Sequence, residues 1–230
     1  MGRQQTKRRI SYGKCGLCGG TFSKGVMTRH LASCQEEKVD SETASDKRKR
    51  EPAKTFHLLV EGRYQPEYWM HLEVQSDEML RDLDGFLRNT WLECCGHLSA
   101  FRIEGGTYIS SQSEEIDDES MDFALSKVLR VGAKFYHEYD FGTTTELTLR
   151  VLSERKSGFR GKSIRLLARN NPPLIACGSC GKTATQVCTQ CIWSGEGWLC
   201  DTCADEHACG EEMCLPVVNS PRVGMCGYTG

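Results

Sequence analysis

Apolar and polar residues alternate in several short stretches between residues 55 and 168, a pattern typical of β-strands. The first two predicted strands cover residues 56–60 and 68–74. The next apolar side chains have the spacing of one helix face and predict a helix: Leu80, Leu83, Leu87 and Trp91. Ser76 or Asp77 could cap this helix.

The following stretch predicts further short elements in mixed order. Gly105 and Gly106 predict a hairpin between residues 101 and 109, and residues 122–131 predict a short helix. Residues 134–139 and 143–152 predict an antiparallel pair, with a last strand at 163–168. Because strands and helices do not alternate regularly, the pattern predicts an α+β fold, a central mixed sheet-and-helix domain.

Composition divides the rest of the chain. Residues 1–13 are predicted to be a disordered basic tail, and residues 14–35 form a compact unit rich in Cys and His. Residues 36–54 hold almost no apolar side chain, which predicts a charged flexible linker. The predicted central domain, 55–171, is therefore flanked by two small cysteine-rich modules, 14–35 and 172–230.

The cysteine content indicates the compartment and the class of site. The 230 residues include 14 cysteines, far more than a hydrophobic core requires. The polar, basic start has no apolar signal region, and no stretch is long and apolar enough to predict a membrane span. We therefore expect a cytoplasmic protein with reduced thiols, in which paired cysteines bind metal in preference to forming disulfides.

The net charge of −2 hides an asymmetry between the two parts of the chain. Residues 1–54 carry 13 Lys and Arg against 6 Asp and Glu, whereas the remainder is acidic. A basic arm on an acidic body suggests that the arm makes any contact with nucleic acid, although a solubilising tail has the same composition.

The amino-terminal unit has metal-ligand spacing. Cys15 and Cys18 form a CxxC pair, and His30 and Cys34, four residues apart, lie on one predicted helix face. These four side chains predict one zinc site, whose metal would supply the folding energy of so small a unit. The unit resembles the zinc-finger module in its Cys2HisCys variant, with one residue fewer than usual between Cys18 and His30.

Such fingers often read a DNA groove through helix residues, here Val26 and Arg29. A protein-binding finger is the competing interpretation. The residues expected to bind nucleic acid are basic side chains of the arm, the finger and the linker: Arg8, Arg9, Lys24, Arg29, Lys47, Arg48, Lys49 and Arg50.

The carboxy-terminal module carries more ligands. It contains three CxxC pairs followed by a histidine and a cysteine: Cys177, Cys180, Cys188, Cys191, Cys200, Cys203, His207 and Cys209. Eight ligands suffice for two four-coordinate sites, so the whole chain is predicted to bind about three Zn²⁺ ions. A full thiolate set leaves no open position for water, which argues against a catalytic zinc.

This pattern resembles cross-braced double-zinc modules of the MYND and B-box types. The resemblance implies that alternate pairs share an ion: the pairs at 177/180 and 200/203 for one, and 188/191 with His207 and Cys209 for the other. Cys214 or Cys226 could replace Cys209 as the last ligand. The resemblance also implies a protein partner, for which Trp193 and Trp198 are either anchors or, as we expect, the small core of the module.

Residues 55–171 resemble the plasmid pRiA4b ORF-3-like family. The resemblance rests on Tyr68-Trp69, the helix beginning at Leu80, and Trp91, then on Gly96-His97-Leu98 and residues 136–142. It implies an α+β fold and an association with mobile elements, but no activity. The chain departs from the family after Gly142, where Thr143 to Leu147 replace an acidic residue followed by Trp and His.

Four polar residues of this domain could come together as an active site: His97, His137, Tyr139 and Asp140. Structural roles, capping and bridging, are favoured for His97 and Asp140, and we predict no catalytic residue. The sequence thus favours a non-enzymatic zinc protein that binds nucleic acid through its finger and basic arm, with a partner at the distal module. A protein-interaction adaptor is the alternative, and an enzyme built on the central domain comes third.

Overall fold

The computed structural model describes residues 10–43, 53–111, 118–157 and 163–230. Ten strands form one sheet: β1 Tyr12–Cys15, β2 Thr21–Ser23, β3 Ala53–Gly62, β4 Trp69–Gln75, β5 Ser99–Ile103, β6 Gly106–Ile109, β7 Glu119–Ser120, β8 Lys134–Tyr139, β9 Thr145–Ser157 and β10 Ile164–Asn170. The helices are α1 Lys24–Thr43, α2 Leu80–Leu87 and α3 Leu125–Val128, and α2 continues through a π-helical turn, Arg88–Leu92.

The strand order of the sheet is β2-β1-β10-β4-β3-β9-β8-β5-β6-β7. Its neighbours pair antiparallel except for β6 and β7, which run parallel. A mixed sheet with segregated helices is an α+β fold, so the predicted fold class is confirmed.

One face of the sheet is covered by α2, and the main core lies between them. Alternate side chains of β3 and β4, such as Leu58 and Leu72, meet the apolar stripe of α2, which is fully buried together with Trp91. Neither Ser76 nor Asp77 caps this helix. The carboxylate of Asp82 instead accepts a hydrogen bond from the backbone N–H of Met79 at 3.1 Å.

The predicted helix at 122–131 is reduced to α3, a single turn. Tertiary hydrogen bonds occupy the backbone that precedes it: the N–H of Leu80 donates to the carbonyl of Phe123, and the N–H of Leu125 donates to the carbonyl of Glu78. These contacts hold residues 121–124 against the start of α2 and outweigh local helix propensity.

The amino-terminal unit is part of the sheet. Strand β1 pairs with β10, with Gly13 opposite Asn170 and Cys15 opposite Ala168. Helix α1 lies over the second face of the sheet, where Met27 and Leu31 are buried with Trp69. It continues to Thr43, within the stretch predicted as linker, where Glu and Lys favour helix. Residues 44–52 of that linker and residues 1–9 of the basic tail lie outside the described residues, and the last two linker residues begin β3.

The carboxy-terminal module has its own small sheet, formed by β11 Gln186–Cys188, β12 Trp198–Leu199 and β13 Cys214–Pro216, with a short helix α4 Asp201–Asp205. Val187 of β11 and Val223, which follows β13, are buried in the main core. The chain after β13 therefore returns to the central sheet. Among the described residues, no helix is both long and apolar enough to cross a membrane.

Candidate metal centres

The finger ligands converge as their spacing predicts. Cys15 ends β1, and a tight turn follows in which the N–H of Gly19 donates to the Cys15 carbonyl at 2.9 Å. His30 and Cys34 lie one turn apart on α1. Cys18 Sγ is 3.3 Å from His30 Nε2, and the ligand atoms of all four residues lie within 4.8 Å of one another.

The finger thiols share their protons unequally. The backbone N–H of Gly20 holds the pKa of Cys18 below its usual range. Burial, and then the charge of Cys15, raises the pKa of Cys34 to about 12. Several thiols this close cannot all ionise unless a cation offsets their charge, which is the electrostatic condition that a zinc site satisfies.

The finger packs tightly on the central sheet. The indole Nε1 of Trp69 donates to Ser11 Oγ at 2.6 Å. Gly13 lies so close to Trp69 and to the Arg169 carbonyl that a Cβ would overlap both. The finger is therefore held by the sheet as well as by its own ligands, which sequence spacing did not indicate.

The first carboxy-terminal group is formed by Cys177, Cys180, Cys200 and Cys203. Cys180 Sγ lies 3.6 Å from Cys200 Sγ. Burial opposes ionisation of Cys177, but backbone N–H groups, first that of Cys200, outweigh it and lower its pKa to about 6. These backbone groups thus favour the thiolate form of Cys177, which is the form that binds zinc.

The second group is formed by Cys188, Cys191, His207 and Cys209. Cys191 Sγ lies 3.4 Å from His207 Nε2 and 3.6 Å from Cys209 Sγ. Burial opposes ionisation of Cys188, but the backbone N–H groups of Cys191 and Gln190 lower its pKa to about 7. The two groups interleave along the chain, as in the cross-braced arrangement that the sequence resemblance implied.

Of the three cysteines considered as the last ligand, the structure places Cys209 in the second group. Cys214 belongs to no group of potential ligands among the described residues, and its Sγ lies 3.9 Å from the carbonyl of Gly210. Cys226 lies elsewhere, against the central domain.

A fourth group was missed by the sequence analysis. Cys94, Cys95 and His97 follow the π-helical turn, and Cys226 approaches them from the carboxy-terminal segment. Adjacent cysteines followed by a histidine were a local signal, but the last ligand is 131 residues beyond Cys95. The structure thus brings together four groups that could hold zinc, where spacing predicted about three ions.

None of the four groups contains a disulfide, because every described cysteine is free. The sulfur–sulfur distances given above are 3.6 Å, against roughly 2.0 Å for a disulfide. Thiolates around one tetrahedral ion at a Zn–S distance of about 2.3 Å lie roughly 3.8 Å apart. The donor types and their separations therefore fit zinc.

Of the four polar residues singled out in the central domain, His97 lies near both Tyr139 and Asp140, with its ring centroid 5.8 Å from that of Tyr139. His137 Nε2 lies 2.7 Å from Asp84 Oδ1 in the buried layer under α2. Asp140 accepts hydrogen bonds from the N–H groups of Gly142 and Thr143 within its turn. His97 Nε2 is 3.6 Å from Asp140 Oδ2 and faces the thiols of the fourth group.

The residues expected to bind nucleic acid are only partly described. Arg29 is exposed on α1. Lys24 is drawn into the protein, where its Nζ lies 2.5 Å from Glu61 Oε1 and 3.0 Å from the carbonyl of Pro66. Arg8, Arg9 and the basic run 47–50 lie outside the described residues.

Comparison with known proteins leaves the family open. No protein-family model and no curated protein matches the chain. A solved structure, a protein of unknown function named MM3350 from Methanosarcina mazei Go1, is similar with 19% sequence identity and a TM-score of 0.43. The match covers 49% of this chain and 68% of that one.

Proposed function

We propose that the protein is a non-enzymatic zinc-dependent adaptor whose carboxy-terminal module recognises a basic protein segment that carries an apolar side chain. The observation that carries the proposal is Trp193. Its side chain is 69% exposed on the turn that directly follows the ligand Cys191. Trp198, by contrast, packs against the main core. The sequence favoured a small core of the module for both tryptophans, but neither belongs to the cluster of buried residues that the module forms by itself.

The charge of the module supports a basic partner. Residues 172–230 contain six acidic residues against two basic ones, and all six acidic residues are exposed: Glu196, Asp201, Asp205, Glu206, Glu211 and Glu212. An exposed indole beside such a surface can bind an aliphatic side chain or the cation of an Arg or Lys residue.

The coordination of the metal groups supports a structural role for zinc. Each group supplies four protein ligands, which fill a tetrahedral ion and leave no position for substrate or water. The two best-formed clefts in the described part of the chain, of about 280 and 400 Å³, are lined by none of these ligands. In this proposal the zinc ions stabilise the fold of the modules that carry the binding surfaces.

A test uses the zinc-loaded full chain and an array of peptides that vary in charge and apolar content. We expect binding to basic peptides with an aliphatic or aromatic residue, and its loss in Trp193→Ala. The matched control is Tyr64→Ala, which removes an aromatic ring that is 74% exposed on the central domain. Equal binding by the wild type and Trp193→Ala would reject this surface.

Nucleic-acid binding is a second candidate, favoured by the exposed Arg29 and Lys14 on the finger and by the excess of basic residues in 1–54. Lys24 is not part of this surface because Glu61 engages it. The test is a salt titration of binding to generic duplex and single-stranded DNA. We expect Arg29→Ala combined with alanine at 8, 9 and 47–50 to weaken binding and flatten its salt dependence. No binding by the wild type at low salt would exclude this function.

A further inference from the structure

We propose that Cys94, Cys95, His97 and Cys226 bind a further Zn²⁺ ion, and that this ion fastens the carboxy-terminal segment, residues 217–228, to the central sheet. The proposal takes from the proposed function only the identity of the metal. The site itself joins the loop after the π-helical turn to the end of the 172–230 module, outside the two metal groups of that module.

The ligand atoms lie close enough together to share one ion, all within 4.8 Å of one another. Cys95 Sγ lies 3.6 Å from Cys94 Sγ and 3.7 Å from Cys226 Sγ. His97 Nε2 lies 2.9 Å from Cys95 Sγ and 3.3 Å from Cys226 Sγ. Around zinc, sulfurs lie roughly 3.8 Å apart and sulfur and nitrogen roughly 3.5 Å apart. The two sulfur–sulfur distances are close to the 3.6 Å of the two carboxy-terminal groups, and no pair is close enough for a disulfide.

The backbone aims these side chains at one point. Gly96 has a φ of +78°, and its N–H donates to Glu93 Oε1 at 2.6 Å, which folds the short loop so that Cys95 and His97 face the same side. Cys226 has a φ of +46°, which non-glycine residues rarely adopt. The surrounding contacts therefore hold Cys226 in an unfavourable conformation that directs its thiol toward the group.

A buried charged side chain lies beside the site. Arg222 is fully buried, and its Nη2 donates to Cys94 Sγ at 3.3 Å and to Asp140 Oδ2 at 2.7 Å. Three thiolates around Zn²⁺ carry a net negative charge, which a buried arginine beside one sulfur offsets.

The site lies where the carboxy-terminal segment, residues 217–228, contacts the central domain. Ser220 Oγ donates to the carbonyl of Trp91 at 2.6 Å, and Val223 is buried in the main core. Cys226 follows these contacts, so its bond to the metal would close the attachment of the segment onto the loop after the π-helical turn. The carboxy-terminal module would thereby be fixed to the central sheet on both sides.

The site also differs from the others in exposure. Each of the other three groups includes at least one buried cysteine, whereas here Cys95 and Cys226 are exposed and Cys94 and His97 are half-buried. A chelator reaches exposed ligands first. The fourth ion should therefore leave before the others, and its loss should release the attachment of residues 217–228.

Metal analysis of the full chain tests the site directly. We expect four zinc ions per chain in the wild type and three in Cys226→Ser, with four retained in Cys214→Ser. A colorimetric chelator should remove one ion in a fast phase from the wild type, and this phase should be absent in Cys226→Ser. Cys95→Ser, which alters the central loop, should give the same count and the same lost phase.

Hydrogen exchange measures the attachment. Residues 217–228 should exchange faster in Cys226→Ser than in the wild type, while β3 and β4 exchange at an unchanged rate. A wild-type count of three ions that Cys226→Ser leaves unchanged would overturn the fourth site alone. A wild-type count near zero would overturn the proposed zinc function as well. A disulfide between Cys95 and Cys226 after purification under reducing conditions would also overturn the metal assignment.

Discussion

Arg222 Nη2 donates to Asp140 Oδ2 across 2.7 Å, and the pair joins the carboxy-terminal segment to the turn between β8 and β9. The Arg222 side chain is fully buried and that of Asp140 is 7% exposed. The Nη1 of Arg222 also donates to the carbonyl of Thr143 and to Thr145 Oγ1, and its guanidinium lies over the Tyr139 ring. The pair therefore organises the turn between β8 and β9, which begins at Asp140.

Asp140→Asn should be strongly destabilising. The change keeps the shape of the side chain but removes the carboxylate partner of the buried guanidinium, and breaking a buried ion pair typically costs about 3–5 kcal/mol of the free energy of unfolding. Denaturant unfolding measures this loss. The control is Glu104→Gln, which removes an ion pair with Arg130 whose side chains are 47% and 75% exposed, and it should change stability by less than about 1 kcal/mol. A similar small effect for both variants would mean that the buried pair contributes little.

Gly13→Ala should displace the finger from the sheet. A Cβ there would overlap the Arg169 carbonyl and lie 2.5 Å from the Trp69 ring, so β1 must move and about 1–3 kcal/mol of stability should be lost. In Gly25→Ala the new Cβ meets open space on α1, and helix propensity should add about 0.5–1 kcal/mol. Thermal unfolding of the zinc-loaded chains should therefore shift in opposite directions. An unchanged midpoint in Gly13→Ala would indicate a finger that is independent of the sheet.

The sequence predicted those parts of the molecule that short-range spacing encodes. The strand pair at β3 and β4 follows from alternation, and the finger and the two distal metal groups follow from CxxC pairs. These signals are local because neighbouring ligands share one turn, as Cys15 and Cys18 do.

Long-range pairing carried no such signal. Strand β1 has four residues, too few for a periodic pattern, and it pairs with β10 near the other end of the central domain. The fourth metal group unites adjacent cysteines with Cys226, and nothing in their spacing indicates that contact. Arg222 looks like an ordinary surface residue until the fold places it beside Asp140.

Cys209 and Cys214 can be distinguished by metal content. Cys209 Sγ lies 3.6 Å from Cys191 Sγ within a group of four ligands, whereas Cys214 lies outside every described group. Cys209→Ser should therefore lose one zinc ion per chain, and Cys214→Ser should lose none. The counts are measured by elemental analysis after removal of weakly bound metal. The reverse result would assign the last ligand to Cys214.

Two buried histidines should make stability depend on pH. His57 Nε2 lies 2.9 Å from His71 Nδ1 on the face of the sheet that α1 covers. Burial, and then Arg155, lowers the pKa of His57 to about 4. Burial, and then His57, lowers that of His71 to about 3. Both rings are therefore neutral in the folded protein at a pH where they are charged in the unfolded chain.

The sign of the effect follows from proton binding. Below a pKa of about 6.5 the unfolded chain takes up protons that the folded protein does not, so stability falls as the pH is lowered. Between about pH 6.5 and 4 each histidine should remove up to about 1.4 kcal/mol per pH unit. His57→Phe should reduce the dependence of the free energy of unfolding on pH. Loss of zinc at low pH affects the wild type and this variant alike, so the difference between them reports the histidine. Long-range ¹H–¹⁵N spectra at pH 5.5 should show neutral rings for His57 and His71, and charged rings there would contradict the prediction.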